Sequence, residues 1–84
     1  MTYYNLGNAL LRDEKTEEAI SSYRMAIKLK HDSFLAHNNL GTALLYEQKT
    51  EEAISHYKTA IKLNPDYVEA QNNLNVAINK LERQ

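Results

Sequence analysis

An 84-residue chain with ten basic and eleven acidic side chains and a formal charge of −1 has room for one domain, and it buries only roughly 60–65% of its unfolded surface, too little for a deep enzymatic pocket. The evenly mixed charge argues against nucleic-acid or membrane-surface partners gathered by long-range attraction. With no cysteine there is no disulfide framework, no thiolate nucleophile and no zinc knuckle.

The first predicted element is a helix over about residues 2–12, because Tyr3, Leu6 and Leu10, flanked by Ala9 and Leu11, recur at spacings of three and four. It starts without an N-cap. A second helix is predicted over about 17–29 from Ala19, Ile20, Tyr23, Ala26 and Ile27, and its apolar stripe must face that of the first. Thr16 stands where a hydroxyl accepts from the first free amides, Glu17 and Glu18 place negative charge in the first turn, and Lys28 and Lys30 complement the other end. Asp32 is the next helix-start signal. Residues 35–68 then repeat residues 1–34 without a gap, matching at 19 of 34 positions. The second copy carries Thr50, Glu51, Glu52 and Lys62 in the same roles. Pro65 stops its last helix, and Asp66 with Glu69 has the form of a capping box. A third copy follows in half: Ala70, Asn72, Asn73, Leu74 and Ala77 repeat Ala36, Asn38, Asn39, Leu40 and Ala43.

A period of 34 residues marks a stacked-helix array. The expected organisation is one domain over 1–84, with repeat 1 about 1–33, repeat 2 about 34–67 and a capping helix about 67–82. That last helix is apolar only along Ala70, Leu74, Ala77, Ile78 and Leu81, and it turns Glu69, Gln71, Asn75, Asn79, Glu82 and Arg83 outward. The only two glycines, Gly7 and Gly41, fall at equivalent mid-helix positions, where each costs about 1 kcal/mol relative to alanine. Close approach of the partner helix, through Ala19 or Ala53 and the nearby Tyr23 or Tyr57, offsets that cost. The third copy has Asn75 at the same place and no partner helix after it.

The residues at these positions resemble the tetratricopeptide repeat (TPR) family over nearly the whole chain. The eight-position signature reads Tyr3, Leu6, Gly7, Leu10, Ala19, Tyr23, Ala26 and His31 in the first unit. In the second it reads His37, Leu40, Gly41, Leu44, Ala53, Tyr57, Ala60 and Pro65. Tyr3 and His37 replace the usual tryptophan, Leu10 and Leu44 an alternative tyrosine, and His31 the usual proline, which loosens the turn there. The resemblance implies an all-α, right-handed superhelical array of antiparallel helix pairs. Two full repeats and the capping helix make five helices, and the first helix of each pair lines a concave groove.

Polar residues run beside the apolar stripe on those first helices: Tyr4, Asn5, Asn8 and Arg12, then Asn38, Asn39, Thr42 and Tyr46, then Asn72, Asn73 and Lys80. Asn5, Asn39 and Asn73 hold the same position in all three copies. An amide offers a donor and an acceptor, so such a row can pair with the backbone of an extended peptide whatever its side chains. With first helices about 10 Å apart, three rungs span about six to eight ligand residues. The row is similar to the asparagine ladder in the repeats of O-linked N-acetylglucosamine transferases, and that resemblance extends to Asn5, Asn39 and Asn73 only. The competing reading is local: asparagines near helix starts often bond water or a neighbouring loop. A basic clamp for a C-terminal carboxylate does not fit, because Tyr4, Glu69 and Asn73 stand at its basic places although Asn8 matches one of its positions.

His31, His37 and His56 fall in a turn, at a packing position and on the back of a second helix, so no metal site is expected. Ser21, Ser22 and Ser55 have no base at an activating spacing, and Glu17/Glu18 and Glu51/Glu52 read as helix-start charges on a solvated face. Tyr23 and Tyr57 read as core, and Tyr4 and Tyr46 as exposed toward the groove. No apolar run approaches the ~18 residues of a membrane span, and Met1, Thr2 and Tyr3 do not open a leader peptide. The chain is expected to be soluble, non-catalytic and free of cofactors, with a cytoplasmic setting favoured.

Three functions remain in order. The first is a module that binds a protein or peptide, an extended segment or a partner helix, in the groove. The second is a structural or engineered repeat fragment that self-associates by end-to-end stacking or helix swapping, since nothing precedes the first helix to cover Tyr3, Leu6 or Leu10. An RNA-reading helical repeat of similar period is a distant third, against the neutral charge.

Overall fold

The computed structural model describes residues 2–83, which form five helices: α1 (Tyr3–Arg12), α2 (Thr16–Leu29), α3 (Phe34–Tyr46), α4 (Thr50–Leu63) and α5 (Val68–Glu82). Each helix packs on the next. In addition, α1 touches α3 and α3 touches α5, whereas the backbones of α2 and α4 do not meet. The first helices of the pairs therefore form the inner wall of a curved stack, and α2 and α4 splay on the outside. One ion pair reaches across that outer gap, Arg24 to Glu52 at 2.7 Å. Glu52 is thus more than a solvated helix-start charge, and the hydrogen bond from Arg24 holds its carboxyl below the usual range.

The core repeats with the sequence. Ala19, Tyr23, Leu40, Ala43, Leu44, Ala53, Tyr57 and Ala77 form one buried cluster, with Leu10, Ile27, Ile54 and Leu74 packed against it. The central helix α3 is buried on several sides (Ala36, His37, Asn38, Leu40, Gly41, Ala43 and Leu44) because α1 and α2 pack before it and α4 and α5 after it. Tyr23 crosses Gly7 and Tyr57 crosses Gly41. A Cβ on Gly7 would lie 2.6 Å from Tyr23 Cε1, and one on Gly41 2.7 Å from Tyr57 Cε1, well inside the 3.5–4.0 Å of ordinary carbon contact. The glycines are there for the tyrosine rings. Asn75, which no helix crosses, is exposed.

The capping expectations need correction. Thr2 does cap α1, accepting from the Asn5 amide at 3.1 Å. Thr16 and Thr50 do not cap; they are the first helical residues, one place too late, and Lys15 and Lys49 occupy the cap without a side-chain bond. The cause is the preceding turn. Lys15 N–H donates to Leu10 C=O (2.8 Å) and Glu14 N–H to Leu11 C=O (3.0 Å), a Schellman closure repeated by Lys49 and Gln48 on Leu44 and Leu45. The residue that closes one helix also opens the next. The closure requires a left-handed residue, and Glu14 (φ 63°) and Gln48 (φ 62°) adopt that conformation without being glycine. Ser33 rather than Asp32 caps α3, accepting from Ala36 at 3.2 Å. Tyr67 rather than Asp66 occupies the α5 cap, so Glu69 is one residue out of register for a capping box. His31 does not loosen its turn either: Ser33 N–H reaches Lys30 C=O at 3.3 Å, as Tyr67 N–H reaches Asn64 C=O at 3.1 Å in the proline-bearing copy.

Candidate functional site

On the inner wall the polar residues of α1, α3 and α5, with Tyr23 of α2, join in one hydrogen-bonded chain. Tyr23 O–H donates to Asn8 Oδ1 at 2.5 Å. The same oxygen accepts from Asn39 Nδ2 at 2.8 Å, and the second Asn39 Nδ2 hydrogen goes to Tyr4 Oη at 3.3 Å. Asn39 Oδ1 accepts from Asn38 Nδ2 (3.1 Å), which also donates to Glu69 Oε2 (3.1 Å). Asn38 Oδ1 finally accepts from Asn73 Nδ2 at 3.1 Å. The chain runs from α2 through α1 and α3 to α5. Burial pushes the Tyr23 phenol up to about 12, against the pull of the Asn39 hydrogen bond, so it keeps its proton and can donate.

The network repeats with the sequence. Asn39 and Asn73 each bond back to the residue 35 places earlier, Tyr4 or Asn38. These amides bond from one repeat to the next, and Asn5, on the first of the described helices, is exposed. The three rungs therefore differ in what they offer a ligand. Asn39 has spent both amide hydrogens and retains acceptor capacity on Oδ1. Asn73 retains one hydrogen and its carbonyl oxygen, and Asn5 retains its whole side chain.

Asn8, Arg12, Asn39, Thr42 and Tyr46 come together around a shallow recess of about 330 Å³ with Leu11, Tyr23 and Glu69. Tyr46 is 63% exposed at its rim, Arg12 is exposed and Tyr4 is half-buried. Thr42 shares a 2.9 Å hydrogen bond with Tyr57 Oη and leans on the Asn38 carbonyl. Asn72 and Lys80 are exposed on α5 and do not line the recess. Asn38 corrects the sequence reading: it is 1% exposed, so it supports the wall and presents nothing to a ligand. Glu69, read from the sequence as half of a cap, lies on the recess instead. No local spacing links it to Asn38, 31 residues away. A length of one repeat, less three, was the only available signal.

The histidines also come together, contrary to their separate treatment in the sequence. His37 Nε2 bonds the His31 carbonyl oxygen at 3.0 Å and must donate, which leaves Nδ1 to accept from His56 Nδ1 at 3.0 Å. The rings stack at 5.2 Å. Burial, then the neighbouring His37, lowers the His56 pKa. The pair lies at the α3–α4 contact; among the described residues no group of three or more potential metal ligands converges.

Residues 34–67 match a family model described as tetratricopeptide repeat, and residues 7–46 match one described as TPR repeat. Comparison with curated protein sequences gives no match. Among solved structures, the first TPR of Spaghetti (RPAP3) bound to the HSP90 peptide SRMEEVD superposes with a TM-score of 0.93 at 30% identity, covering 95% of this chain and 64% of that one. The second TPR of the same protein, bound to the same peptide, gives 0.93 at 30% identity over 96% of this chain and 75% of that one. MamA gives 0.92 at 25% identity over 95% of this chain and 47% of that one. The chain thus spans from about half to three quarters of the length of these neighbours.

Proposed function

Since the chain belongs to the tetratricopeptide repeat family, we propose that it works as a protein-interaction module holding an extended partner segment along the inner wall of α1, α3 and α5. The observation that carries this reading is the residual hydrogen-bonding capacity of Asn5, Asn39 and Asn73, which keep one position on successive helices while the network beneath them fixes two of the three. A rigid amide costs little entropy to engage. Asn8, Thr42, Arg12 and Tyr46 border the same recess, with Tyr4 behind it and Asn72 and Lys80 at the α5 end. Residues 1–84 act as one unit of two repeats and a capping helix. The peptide-bound neighbours support the choice of ligand class.

The test is a titration of the ¹⁵N-labelled chain with extended heptapeptides, followed through the side-chain amides of Asn5, Asn39 and Asn73. Saturable shifts confined to these and to Tyr46 are expected. Silence across a diverse peptide set refutes the reading.

A second reading rests on the opposite end of the stack. Tyr3 (44% exposed), Leu6 (36%), Met25 (37%) and Leu29 (70%) leave an apolar face beyond α1 and α2, with a recess of about 540 Å³ between Tyr3, Tyr4, Leu29 and Lys30. A face of that kind suits a further repeat or a second copy of the chain. Light scattering at rising concentration discriminates: a strict monomer into the millimolar range removes the second copy.

A further inference from the structure

Glu69 is a carboxylate with no cation of its own. The one ion pair among the described residues, Arg24 with Glu52, lies on the outer side of the stack. Glu69 projects from the first turn of α5, and the buried Asn38 amide donates to its Oε2 at 3.1 Å. Asn38 is itself held by Asn39 and Asn73, and the Tyr67 phenol also bonds the carboxylate, so Glu69 rests on a fixed support of neutral groups. It lines the recess with Tyr46 and Thr42, and Arg12 supplies the only positive charge there. An oriented carboxylate beside an exposed phenol ring suits a guanidinium or ammonium group, which donates to the oxygen and lies against the aromatic face.

We propose that the groove selects extended segments carrying an arginine or lysine, whose cationic head sits in this recess against Glu69, and discriminates against segments with an acid at that place. The proposal rests on the peptide-binding reading and adds a specificity determinant to it.

The probes are serine–alanine heptapeptides, blocked at both ends and identical but for a central arginine, glutamine or glutamate, titrated into the full chain by NMR. The arginine peptide is expected to bind about five- to tenfold more tightly than the glutamine peptide, and the glutamate peptide more weakly than either. Glu69→Gln keeps an acceptor for Asn38, so the helices should stay intact by circular dichroism. In that variant the ratio of arginine-peptide to glutamine-peptide affinity should fall to less than about twofold. Equal affinities for the arginine and glutamine peptides, or a preference that survives Glu69→Gln, overturn the proposal and leave the groove reading standing. If none of the peptides moves the groove amides, both fall together.

Discussion

Gly41→Ala sets two known energies against each other. Alanine is the better helix former, and the exchange gains about 1 kcal/mol at an unstrained interior position. Here the new methyl would lie 2.7, 2.9 and 3.0 Å from Cε1, Cδ1 and Cζ of Tyr57. Restoring contact to about 3.5 Å moves the ring by roughly 0.5–1 Å. The ring has nowhere to go: Tyr57 is 1% exposed, and its hydroxyl is tied to Thr42 Oγ1 at 2.9 Å. Overpacking a closed core typically costs about 1–3 kcal/mol. After the helix gain, a net loss of up to about 2 kcal/mol is expected, a fall in Tm of up to roughly 16 °C for a domain of this size. Urea denaturation followed at 222 nm measures it. Asn75→Ala is the control, because the same repeat position on α5 is exposed and uncrossed; it should gain up to about 0.7 kcal/mol. A Gly41→Ala midpoint at or above the wild type would mean that the ring yields freely, and the close-approach account of both glycines would be wrong.

Three further outcomes follow from the same coordinates. Glu14→Gly and Gln48→Gly relieve left-handed backbone at φ 63° and 62° and should each raise the urea midpoint by the equivalent of about 0.5–1 kcal/mol; alanine at either place should not. Asn38→Ala strips three hydrogen bonds from a side chain 1% exposed and should cost about 2–3 kcal/mol, whereas Asn5→Ala should leave stability within about 0.5 kcal/mol and weaken peptide binding in the NMR titration. His56 has a folded pKa below its ordinary 6.5 because burial and His37 disfavour its charge. Below pH 6.5 the unfolded chain therefore binds more protons than the folded one. Stability present above that pH should decline as the pH falls toward the folded value. His56→Ser, which installs the residue of repeat 1 (Ser22), should flatten that decline, and an unchanged pH profile counts against the pair as its source.

The elements were legible because they are short-range. Spacings of three and four in Tyr3, Leu6 and Leu10 fix a helix face within a few turns, and the shared core positions of the two 34-residue copies make equivalent pairs pack alike. Even the reason for Gly7 and Gly41 could be read, since only a crossing side chain explains a helix-weakening residue placed twice in one register. Helix starts were read less well: a three-residue turn lets Lys15 and Lys49 serve two helices at once, and no propensity of Thr16 or Thr50 reports that sharing.

The sequence by itself determined the helix pairs, their order and which first-helix positions carry polar amides, because helical periodicity and repeat identity are properties of neighbours along the chain. Only the tertiary structure decided which of those amides are spent on each other. Asn38, Asn39, Asn73 and Glu69 find partners across 31 and 35 residues, and a change of a few degrees in how α1, α3 and α5 cross would exchange those bonds for others at nearly equal energy. The sum of the packing contacts selects among such arrangements, and that sum is not written in any local stretch of the chain.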